Sequence, residues 1–295
     1  MTISIRKLQL FEATARLGKL TQAANEIALS QSAASQALKE LEQSLGYPLF
    51  ERVGRELIIT ENGQKALPKV RQIADILDSL QSTNLNNMSG ILKIVASGTI
   101  ATYLLPRLLA EFIALYPQVK PEIHIGNTEM VIDFLDKGKA NIGLIEGPAL
   151  HPHLAVIPWQ KDTLEIFCRP EHALAKVGKI SFSQLKEHAW LLREKGSGTR
   201  AIFDAAIEQV GAQINLAMEL TRQSAIKESV KAGLGLGCLS RLTIAEELKS
   251  GQLITLQSPL KLSRRFSLVS NKDSHHNLLT QVFMRFLSNK NGSNN

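Results

Sequence analysis

Residues 21–42 are the most informative stretch of this chain and read TQAANEIALSQSAASQALKELE. Thr21 can cap a short helix, whose small alanine side chains would allow a second helix to approach closely. A tight break follows, and Ser30 can cap that second helix, which the pattern extends over 31–45. Two short helices joined by about three residues are typical of a helix-turn-helix.

Apolar residues at helical spacing predict how this unit is held together. A scaffolding helix that ends at Gly18 is predicted before the stretch by Ile5, Leu8, Phe11 and Ala15. The second helix of the pair, which Gly46 ends, carries an inward stripe made of Ala34, Leu38, Leu41 and Leu45.

The opposite face of the 31–45 helix carries small, amide or basic side chains that can reach a DNA major groove. These side chains are Gln31, Ser32, Ser35, Gln36 and Lys39. Every amphipathic helix has a polar face, however, so solvent exposure alone also explains this stripe. DNA contact and a plain solvated face both remain open on this stripe alone.

Residues 47–60 favour DNA contact. They predict two short strands around a turn at 53–55, which is the wing of a winged helix-turn-helix. Arg52 and Arg55 flank this turn, where a guanidinium can contact phosphates or a narrow minor groove. Bulk charge does not point to this unit, since residues 1–58 hold seven basic and six acidic side chains.

Three segments together resemble the signature of LysR-type transcription regulators: residues 21–42, the run LGYPLFER at 45–52 and the run LIITENG at 57–63. The resemblance implies that the 31–45 helix enters the major groove. The side chains it implicates in base readout are Gln31, Ser32, Ser35 and Gln36. It also implies that Lys39 and Arg52 contact phosphates.

A long helix is predicted after the wing. Thr60 can cap it, and Pro68 predicts a kink or a short first turn near its start. Apolar residues spaced as in a short coiled coil follow along it: Ala66, Val70, Ile73, Leu77 and Leu80. This seam predicts dimerisation, with packing on its own chain as the alternative. The LysR resemblance also implies that this helix pairs subunits.

Beyond this helix, strand and helix patterns alternate, which argues for a largely parallel sheet covered by helices. The predicted strands are 91–97, 122–126, 140–145, 164–169, 190–193, 215–220, 234–239 and 265–270. The predicted helices are 104–116, 130–137, 201–210, 225–232 and 277–287. The LysR resemblance implies two lobes joined by two crossings, similar to periplasmic solute-binding proteins, and we place the crossings near 159–163 and 263–267.

The chain is therefore predicted to be an α/β protein with a winged helix-turn-helix, a long linker helix and a two-lobed effector domain. The predicted boundaries are 1–58 for the DNA-binding domain, 59–89 for the linker helix with its hinge, and 90–295 for the effector domain. Within the effector domain, lobe one covers 90–161 and 267–295, and lobe two covers 162–266.

Ligands of open α/β sheets bind beyond the carboxyl ends of strands, where helix N-termini attract anions. The loop 196–200, GSGTR, offers two hydroxyls, two glycines and a guanidinium, which suit phosphate, a sulfur oxyanion or a carboxylate. A plain turn with a helix cap is the alternative. The candidate effector-binding residues are Ser97, Thr99, Glu146, Gly196, Ser197, Gly198, Thr199, Arg200 and Ser224.

Residues 193–200, REKGSGTR, resemble the corresponding stretch of a LysR branch that includes regulators of sulfur assimilation and carbon fixation. This resemblance favours an inorganic sulfur oxyanion or a small phosphorylated or carboxylated metabolite as the effector. Glu146 is unexpected beside an anion. Its role stays open between a hydrogen-bond gate, a protonated partner and a contact to an amine of the ligand.

Other classes of protein find little support. No run approaches the ~20 apolar residues that span a bilayer, and no secretion signal is recognised, so we expect a cytoplasmic protein without membrane contact. Cys168 and Cys238 are expected to be buried free thiols rather than a redox pair. No catalytic motif, cofactor or metal site is expected, since the pairs His151/His153 and His275/His276 lack further ligands at metal spacing.

The leading hypothesis is a transcription regulator, not an enzyme, whose DNA binding responds to a small anionic effector. Its expected partners are a double-stranded DNA operator, the effector, further copies in a homodimer or homotetramer, and RNA polymerase if it activates transcription. The alternatives are an anion-binding enzyme or a solute-binding protein that uses the 196–200 loop.

Overall fold

The computed structural model describes residues 3–53, 56–81, 88–272 and 278–290. Its N-terminal unit begins with three helices, α1 (Ile5–Leu17), α2 (Leu20–Glu26) and α3 (Gln31–Leu45). Ser30 caps α3 by accepting a hydrogen bond from the Ala33 N–H, and Gly46 ends it with a φ of 81°. The helix pair predicted from residues 21–42 is therefore present.

The start of α2 differs from its prediction. Lys19 holds the N-cap position and Thr21 lies in the first turn of the helix, so the prediction that Thr21 caps α2 is wrong. The cause is the left-handed turn at Gly18, which ends α1 with a φ of 69°. Because this turn leaves only Gly18 and Lys19 between the two helices, α2 begins without room for a longer capping segment.

A compact apolar core holds the three helices together. Ala23 of α2 and Ala34 of α3 belong to this core and have no exposed surface. Phe11 of α1 lies edge-on to Phe50, with ring centroids 5.6 Å apart. Leu41 of α3 is also fully buried, so the predicted inward stripe of α3 faces this core.

The wing follows as two antiparallel strands, β1 (Phe50–Val53) and β2 (Glu56–Ile59). Glu42 of α3 fixes the start of the wing, because its carboxylate accepts hydrogen bonds from the N–H groups of Leu49 and Phe50 at 2.8 and 3.1 Å. The wing is thereby held against the C-terminal half of α3.

The linker helix α4 (Glu61–Gln81) begins where the sequence predicts. Thr60 accepts a hydrogen bond from the Gly63 N–H at 3.0 Å and donates to the Pro48 carbonyl at 2.7 Å. A Cβ at Gly63 would overlap the Leu49 carbonyl oxygen, so α4 approaches the wing as closely as only glycine allows. The helix continues through Pro68.

The predicted seam of α4 is divided along its length. Ala66 and Val70 are buried in the N-terminal core, whereas Ile73 is 40% exposed and Leu77 is half-buried. Ile76, beside this seam, is 39% exposed. Leu80, the last predicted seam residue, has its side chain outside the described set. The first half of the stripe therefore packs on its own chain, and the second half presents apolar surface to solvent.

Arg71 of α4 links the N-terminal unit to the rest of the molecule. Its Nε and Nη2 donate to Glu12 of α1, both at 3.1 Å, and its Nη1 donates to the Lys137 carbonyl at 2.8 Å. Gly138 lies beside Pro68, where an added Cβ would approach the proline Cα to 3.3 Å. The DNA-binding unit and the effector domain thus touch at this point.

Lobe one of the effector domain is a layered α/β unit. Its strands are β3 (Ser89–Ser97), β4 (Gln118–Gly126) and β5 (Ile142–Ile145), and its helices are α5 (Gly98–Tyr103), α6 (Leu105–Leu115), α7 (Thr128–Asp136) and α12 (Leu278–Asn289). β3 pairs in parallel with both β4 and β5. Phe112 of α6 and Phe283 of α12 are fully buried with ring centroids 4.9 Å apart.

Two long antiparallel strands, β6 (Leu154–Cys168) and β11 (Ser263–Asn271), run through both lobes. The crossings placed near 159–163 and 263–267 lie inside these strands. The sequence pattern predicts β6 only from residue 164, because apolar and polar residues are mixed in the first half of this strand. The exact domain boundaries remain a prediction.

Lobe two adds the remaining elements. Its strands are β7 (Ala189–Arg193), β8 (Asn215–Leu220), β9 (Leu236–Ser240) and β10 (Ile254–Leu256), and its helices are α8 (Ala173–Val177), α9 (Gly198–Gln209), α10 (Gln223–Lys231) and α11 (Arg241–Lys249). A nine-stranded sheet joins both lobes. Eight of its strands follow the order β4-β3-β5-β11-β6-β9-β7-β8, and β10 pairs with β6 outside this order.

Both cysteines are free and buried, as predicted. Burial raises the pKa of the Cys168 thiol to about 11 and raises the pKa of Cys238 as well. Neither thiol is therefore poised to react. Among the described residues, no helix has the length and apolar character that crossing a membrane requires.

Candidate functional site

The outer face of α3 is open to solvent. All five predicted contact residues on this helix are exposed: Gln31, Ser32, Ser35, Gln36 and Lys39. Arg52 of β1 is exposed as well, while Arg55 lies outside the described residues. The structure thus brings these side chains to one accessible surface, and their contact with DNA remains a prediction.

Two of these side chains are held in place by neighbours. Gln36 donates its amide to Glu40 at 2.9 Å, and Glu40 also pairs with Lys7 at 2.8 Å. The hydrogen bond from Lys7, followed by the one from Gln36, lowers the pKa of Glu40. Ser32 lies 3.1 Å from the capping hydroxyl of Ser30. This orientation reduces the side-chain entropy that a base contact would lose.

A second polar site lies where the two lobes meet. β5 ends at Ile145 and leads directly into Glu146, while Thr99 and Thr199 lie in the first turns of α5 and α9. All three side chains are at most 2% exposed. Because α5 belongs to lobe one and α9 to lobe two, this arrangement spans the lobe junction.

Glu146 is the centre of this cluster. Its Oε1 accepts a hydrogen bond from the Thr99 N–H at 2.6 Å. Its Oε2 accepts from the Thr99 hydroxyl at 2.8 Å and from the Thr199 hydroxyl at 3.2 Å. One carboxylate therefore joins both lobes.

Arg264 of β11 supplies the cation of the cluster. Its Nε donates to Asp162 of β6 at 2.6 Å, and its Nη1 donates to the Thr199 hydroxyl at 2.9 Å. Ser240 also donates to Asp162, at 2.8 Å. The guanidinium carbon lies 5.2 Å from the ring centroid of Phe266, so the cation also has a favourable aromatic contact.

One nitrogen of Arg264 is left with incomplete bonding. Nη2 lies 3.2 Å from Glu146 Oε2, close enough for an ion pair. This nitrogen nevertheless has no hydrogen-bond partner among the described residues, since its N–H groups are not aligned with the carboxylate. A buried donor without a partner is unusual and suits a site that accepts a ligand oxygen.

The helix start across the cleft contributes Gln223 rather than Ser224. The Gln223 amide donates to the Thr99 hydroxyl at 2.7 Å, whereas Ser224 is exposed. Ser97, another predicted contact, is buried and donates to the Leu144 carbonyl at 3.2 Å. The structure therefore brings Thr99, Thr199 and Glu146 together and leaves Ser97 and Ser224 outside the cluster.

The backbone of the 196–200 loop packs directly against lobe one at the junction. Gly198 lies so close to Gly147 that a Cβ on either residue would approach the other's backbone to 2.6 Å. Gly196 has a φ of 85°, and its carbonyl accepts a hydrogen bond from the Glu129 N–H at 3.2 Å. Ser197 is 3% exposed. The glycines thus serve close contact between the lobes.

Arg200 points away from the cluster. Its Nε donates to Asp204 at 2.7 and 2.8 Å, and its Nη1 donates to Glu219 at 3.1 Å and to the Arg193 carbonyl at 3.0 Å. The predicted role of Arg200 as the effector's cation thus finds no geometric support in this conformation. Arg264 occupies that position instead.

Arg264 and Asp162 were not predicted from the sequence, and Gln223 was considered there only together with Ser224. The two charged residues lie on the crossing strands β11 and β6, where alternating charged and apolar residues look like an ordinary half-exposed strand. Their pairing joins positions 102 residues apart, so spacing along the chain carries no signal of it.

Metal ligation finds no support in the described part of the chain, where no group of three or more His, Cys, Asp or Glu side chains could hold an ion. The ring centroids of His151 and His153 lie 5.9 Å apart, and Asp136 lies 3.7 Å from His151, but these side chains do not form such a group. The pair His275 and His276 lies outside the described residues.

Comparison with known proteins covers nearly the whole chain. Residues 5–64 match the family described as bacterial regulatory helix-turn-helix protein, lysR family. Residues 86–291 match the family described as LysR substrate binding domain. Both matches agree with the predicted winged helix-turn-helix followed by an α/β effector domain.

Similar proteins are regulators rather than enzymes. The uncharacterized HTH-type transcriptional regulator YeiE of Escherichia coli K12 is 37% identical over 292 residues, 97% of each chain. The RuBisCO operon transcriptional regulator of Allochromatium vinosum is 32% identical, covering 87% of this chain and 85% of that one. The latter agrees with the predicted branch of the family.

A solved structure shares the effector domain. The Synechocystis PCC6803 CcmR regulatory domain in complex with 2-PG is 26% identical, with a TM-score of 0.65 over 70% of this chain and 99% of that chain. Together with the two family matches, this similarity accounts for both parts of the molecule. The chain belongs to the LysR family of DNA-binding transcription regulators, with a C-terminal domain that binds a small-molecule effector.

Proposed function

We propose that this regulator binds its operator as a homodimer and that a small anion bound at the lobe junction controls this binding. The observation that carries the proposal is the convergence of Thr99, Thr199 and Arg264 across the junction. Two hydroxyls, a backbone N–H and a guanidinium are donors suited to an oxyanion. Because they come from both lobes, a ligand held by them would change how the lobes fit together.

DNA contact is proposed for α3 and the wing. Base edges would be read by Gln31, Ser32, Ser35 and Gln36, whose short side chains suit the major groove. Phosphates would be contacted by Lys39, Arg52 and Arg55. Contacts of this kind in a single small unit bind weakly, so two copies on two half-sites are needed for specific binding.

The second half of α4 supports the homodimer. Ile73 and Ile76 are 40% and 39% exposed on the same helix, and two such faces would bury each other in a symmetric pair. We extend this proposal to assembly into a homotetramer and, if the protein activates transcription, to contact with RNA polymerase. We also propose a cytoplasmic location, because the operator would be there.

The proposed effector is a sulfur oxyanion or a phosphorylated or carboxylated metabolite. The similarity to the CcmR regulatory domain, whose structure contains 2-PG, supports an anion of small size. Arg264 supports it further, because its Nη2 still lacks a hydrogen-bond partner within the described residues. A ligand oxygen near this nitrogen would complete the bonding of the guanidinium.

The test is DNA binding by fluorescence anisotropy, with DNA from upstream of the protein's own gene and with sulfite, sulfate, phosphate or 2-PG added. We expect one class of anion to change the operator affinity at least fivefold, as expected for a coupling of roughly 1 kcal/mol or more. Thr199→Ala should abolish this response, whereas Thr163→Ala, an exposed threonine on β6, should keep it. A response that survives Thr199→Ala would exclude the proposed site.

A further inference from the structure

Every oxygen of the Glu146 carboxylate is already bound. Oε1 accepts from the Thr99 N–H, and Oε2 accepts from the hydroxyls of Thr99 and Thr199. Arg264 lies 3.2 Å from the same Oε2. The donors suited to an anion are therefore engaged by a carboxylate that belongs to the chain itself.

The cluster contains one more buried carboxylate than guanidinium groups, and Glu146 is the carboxylate in excess. Asp162 already pairs with Arg264 at 2.6 Å, so two buried carboxylates share one guanidinium. A buried charge without its own counterion is unfavourable unless other contacts stabilise it. Here the compensation comes from two hydroxyls and a backbone N–H, and one of the hydroxyls belongs to the opposite lobe.

We propose that Glu146 is a tethered stand-in for the anionic group of the effector. Without effector, its carboxylate occupies the donors of Thr99 and Thr199 and holds the two lobes together. The effector replaces it with an oxyanion that presents two acceptor oxygens at carboxylate spacing. This inference rests on the proposed function, because it concerns the same site.

Replacement is favoured over joint binding by the charge balance. An anion bound beside an ionised Glu146 would place three negative groups, including Asp162, around the one guanidinium of Arg264. In a low-dielectric interior, such like charges repel strongly. An anion in place of Glu146 leaves the charge around Arg264 unchanged.

The experiment uses formate, the smallest carboxylate, as a probe of the full-length protein. In Glu146→Ala the donors lose their occupant, so formate should raise the melting temperature in a saturable way. We expect half-saturation at a formate concentration at least tenfold lower than for any response of the wild type. Sodium chloride at matched ionic strength should give no saturable rise.

Glu247→Ala is the matched control. It removes a carboxylate that pairs with Lys227 at 2.6 Å, but to which no hydroxyl of the described residues donates a hydrogen bond. Formate should therefore not raise the melting temperature of Glu247→Ala in a saturable way. An equal formate response in both alanine variants would show general salt binding and would overturn the proposal.

Glu146→Gln keeps the test decisive if Glu146→Ala does not fold. The amide fills the same space but binds the donors less strongly, because it lacks charge and places an NH₂ group against them. Formate should then act at a lower concentration than in the wild type. Folded variants whose formate response equals that of the wild type would overturn the proposal.

The outcome separates this inference from the proposed function. A formate response in the Glu146 variants, with DNA binding indifferent to every anion tested, would support the stand-in and reject effector control. DNA binding that responds to an anion, with unchanged formate responses in both Glu146 variants, would reject the stand-in alone.

Discussion

Arg264 lies at the junction of the two crossing strands, and its three nitrogens face three different groups. Nε pairs with Asp162, Nη1 donates to Thr199, and Nη2 faces Glu146. Such a planar set of donors is specific to arginine, because lysine offers a single point charge on a flexible stem. The side chain therefore connects β6, α9 and the end of β5 in a way that no other residue reproduces.

Arg264→Lys should lower the free energy of unfolding by about 2–3 kcal/mol, since a buried carboxylate would lose its aligned partner. The measurement is urea denaturation of the purified protein. Arg265→Lys is the control, because Arg265 is the exposed neighbour on the same strand and its exchange should change stability by no more than about 0.5 kcal/mol. Equal stability of the two variants would mean that the buried network contributes little.

Part of this site could be predicted from the sequence and part could not. Thr99, Glu146 and Thr199 follow strand ends or open helices, and the rule that ligands bind beyond strand ends identifies such positions. Arg200 fits the same rule but turns to Asp204 and Glu219, because its position on α9 points it along the helix surface. Arg264 lies in mid-strand, where only the three-dimensional crossing shows its role.

Helices α10 and α11 are joined by a half-buried ion pair. Lys227 of α10 lies 2.6 Å from Glu247 of α11, and both side chains are 14% exposed. Lys227 also donates to the Thr243 carbonyl at 3.0 Å, to which the Tyr103 hydroxyl donates as well. The pair therefore connects α11 with α10 and with α5 of lobe one.

Burial raises the pKa of Glu247. The hydrogen bond from Lys227, a hydrogen bond from the Glu247 backbone and the charges of Lys227 and Lys231 together lower it by more, so its folded pKa lies below the ordinary 4.5. The pair thus stabilises the fold above that value, and the contribution disappears as pH falls through the lowered pKa. Glu247→Gln should destabilise the protein at pH 7 by roughly 1.5 kcal/mol and should flatten the acid limb of a plot of stability against pH.

Thermal unfolding between pH 3 and pH 7 provides the measurement for this variant. Glu246→Gln is the control, because Glu246 is exposed one position earlier on the same helix. The destabilisation of Glu247→Gln relative to the wild type should shrink towards the acid end of this range. A difference that stays constant throughout would show that the Lys227 pair does not contribute to acid stability.

The elements themselves were predictable where periodicity is strong. The stripe of Ala34, Leu38 and Leu41 locates α3, and the alternation of apolar strands and helices gives the α/β class. The missed helix α11 buries only Thr243 and Ile244, so its stripe is too weak to detect. The first half of β6 was missed because its partner β11 lies far along the chain, with Ser267 aligned to Pro158 over a separation of 109 residues.

Among the described residues, Arg71 provides a polar contact between the DNA-binding unit and the effector domain. Arg71 of α4 binds Glu12 of the DNA-binding unit and the Lys137 carbonyl of lobe one at once. Gly138 lies against Pro68 beside this point. A change in the effector domain could therefore reach α1 through Arg71.

Arg71→Ala should separate the unfolding of the two units. Both tryptophans of the chain, Trp159 and Trp190, lie in the effector domain, so their fluorescence reports that domain alone, whereas circular dichroism at the helix band reports both. In the wild type the two thermal transitions should coincide. In Arg71→Ala the circular dichroism transition should begin several degrees lower, because the N-terminal unit loses its contact with lobe one.

Lys69→Ala is the control for this measurement, because Lys69 is exposed two residues earlier on α4 and its loss leaves the Arg71 contacts in place. Helix content changes equally in both variants, so a difference between them reports the contact itself. Coincident transitions in Arg71→Ala would show that the units are coupled elsewhere. Separated transitions would identify Arg71 as the connection through which the effector domain could act on the DNA-binding helices.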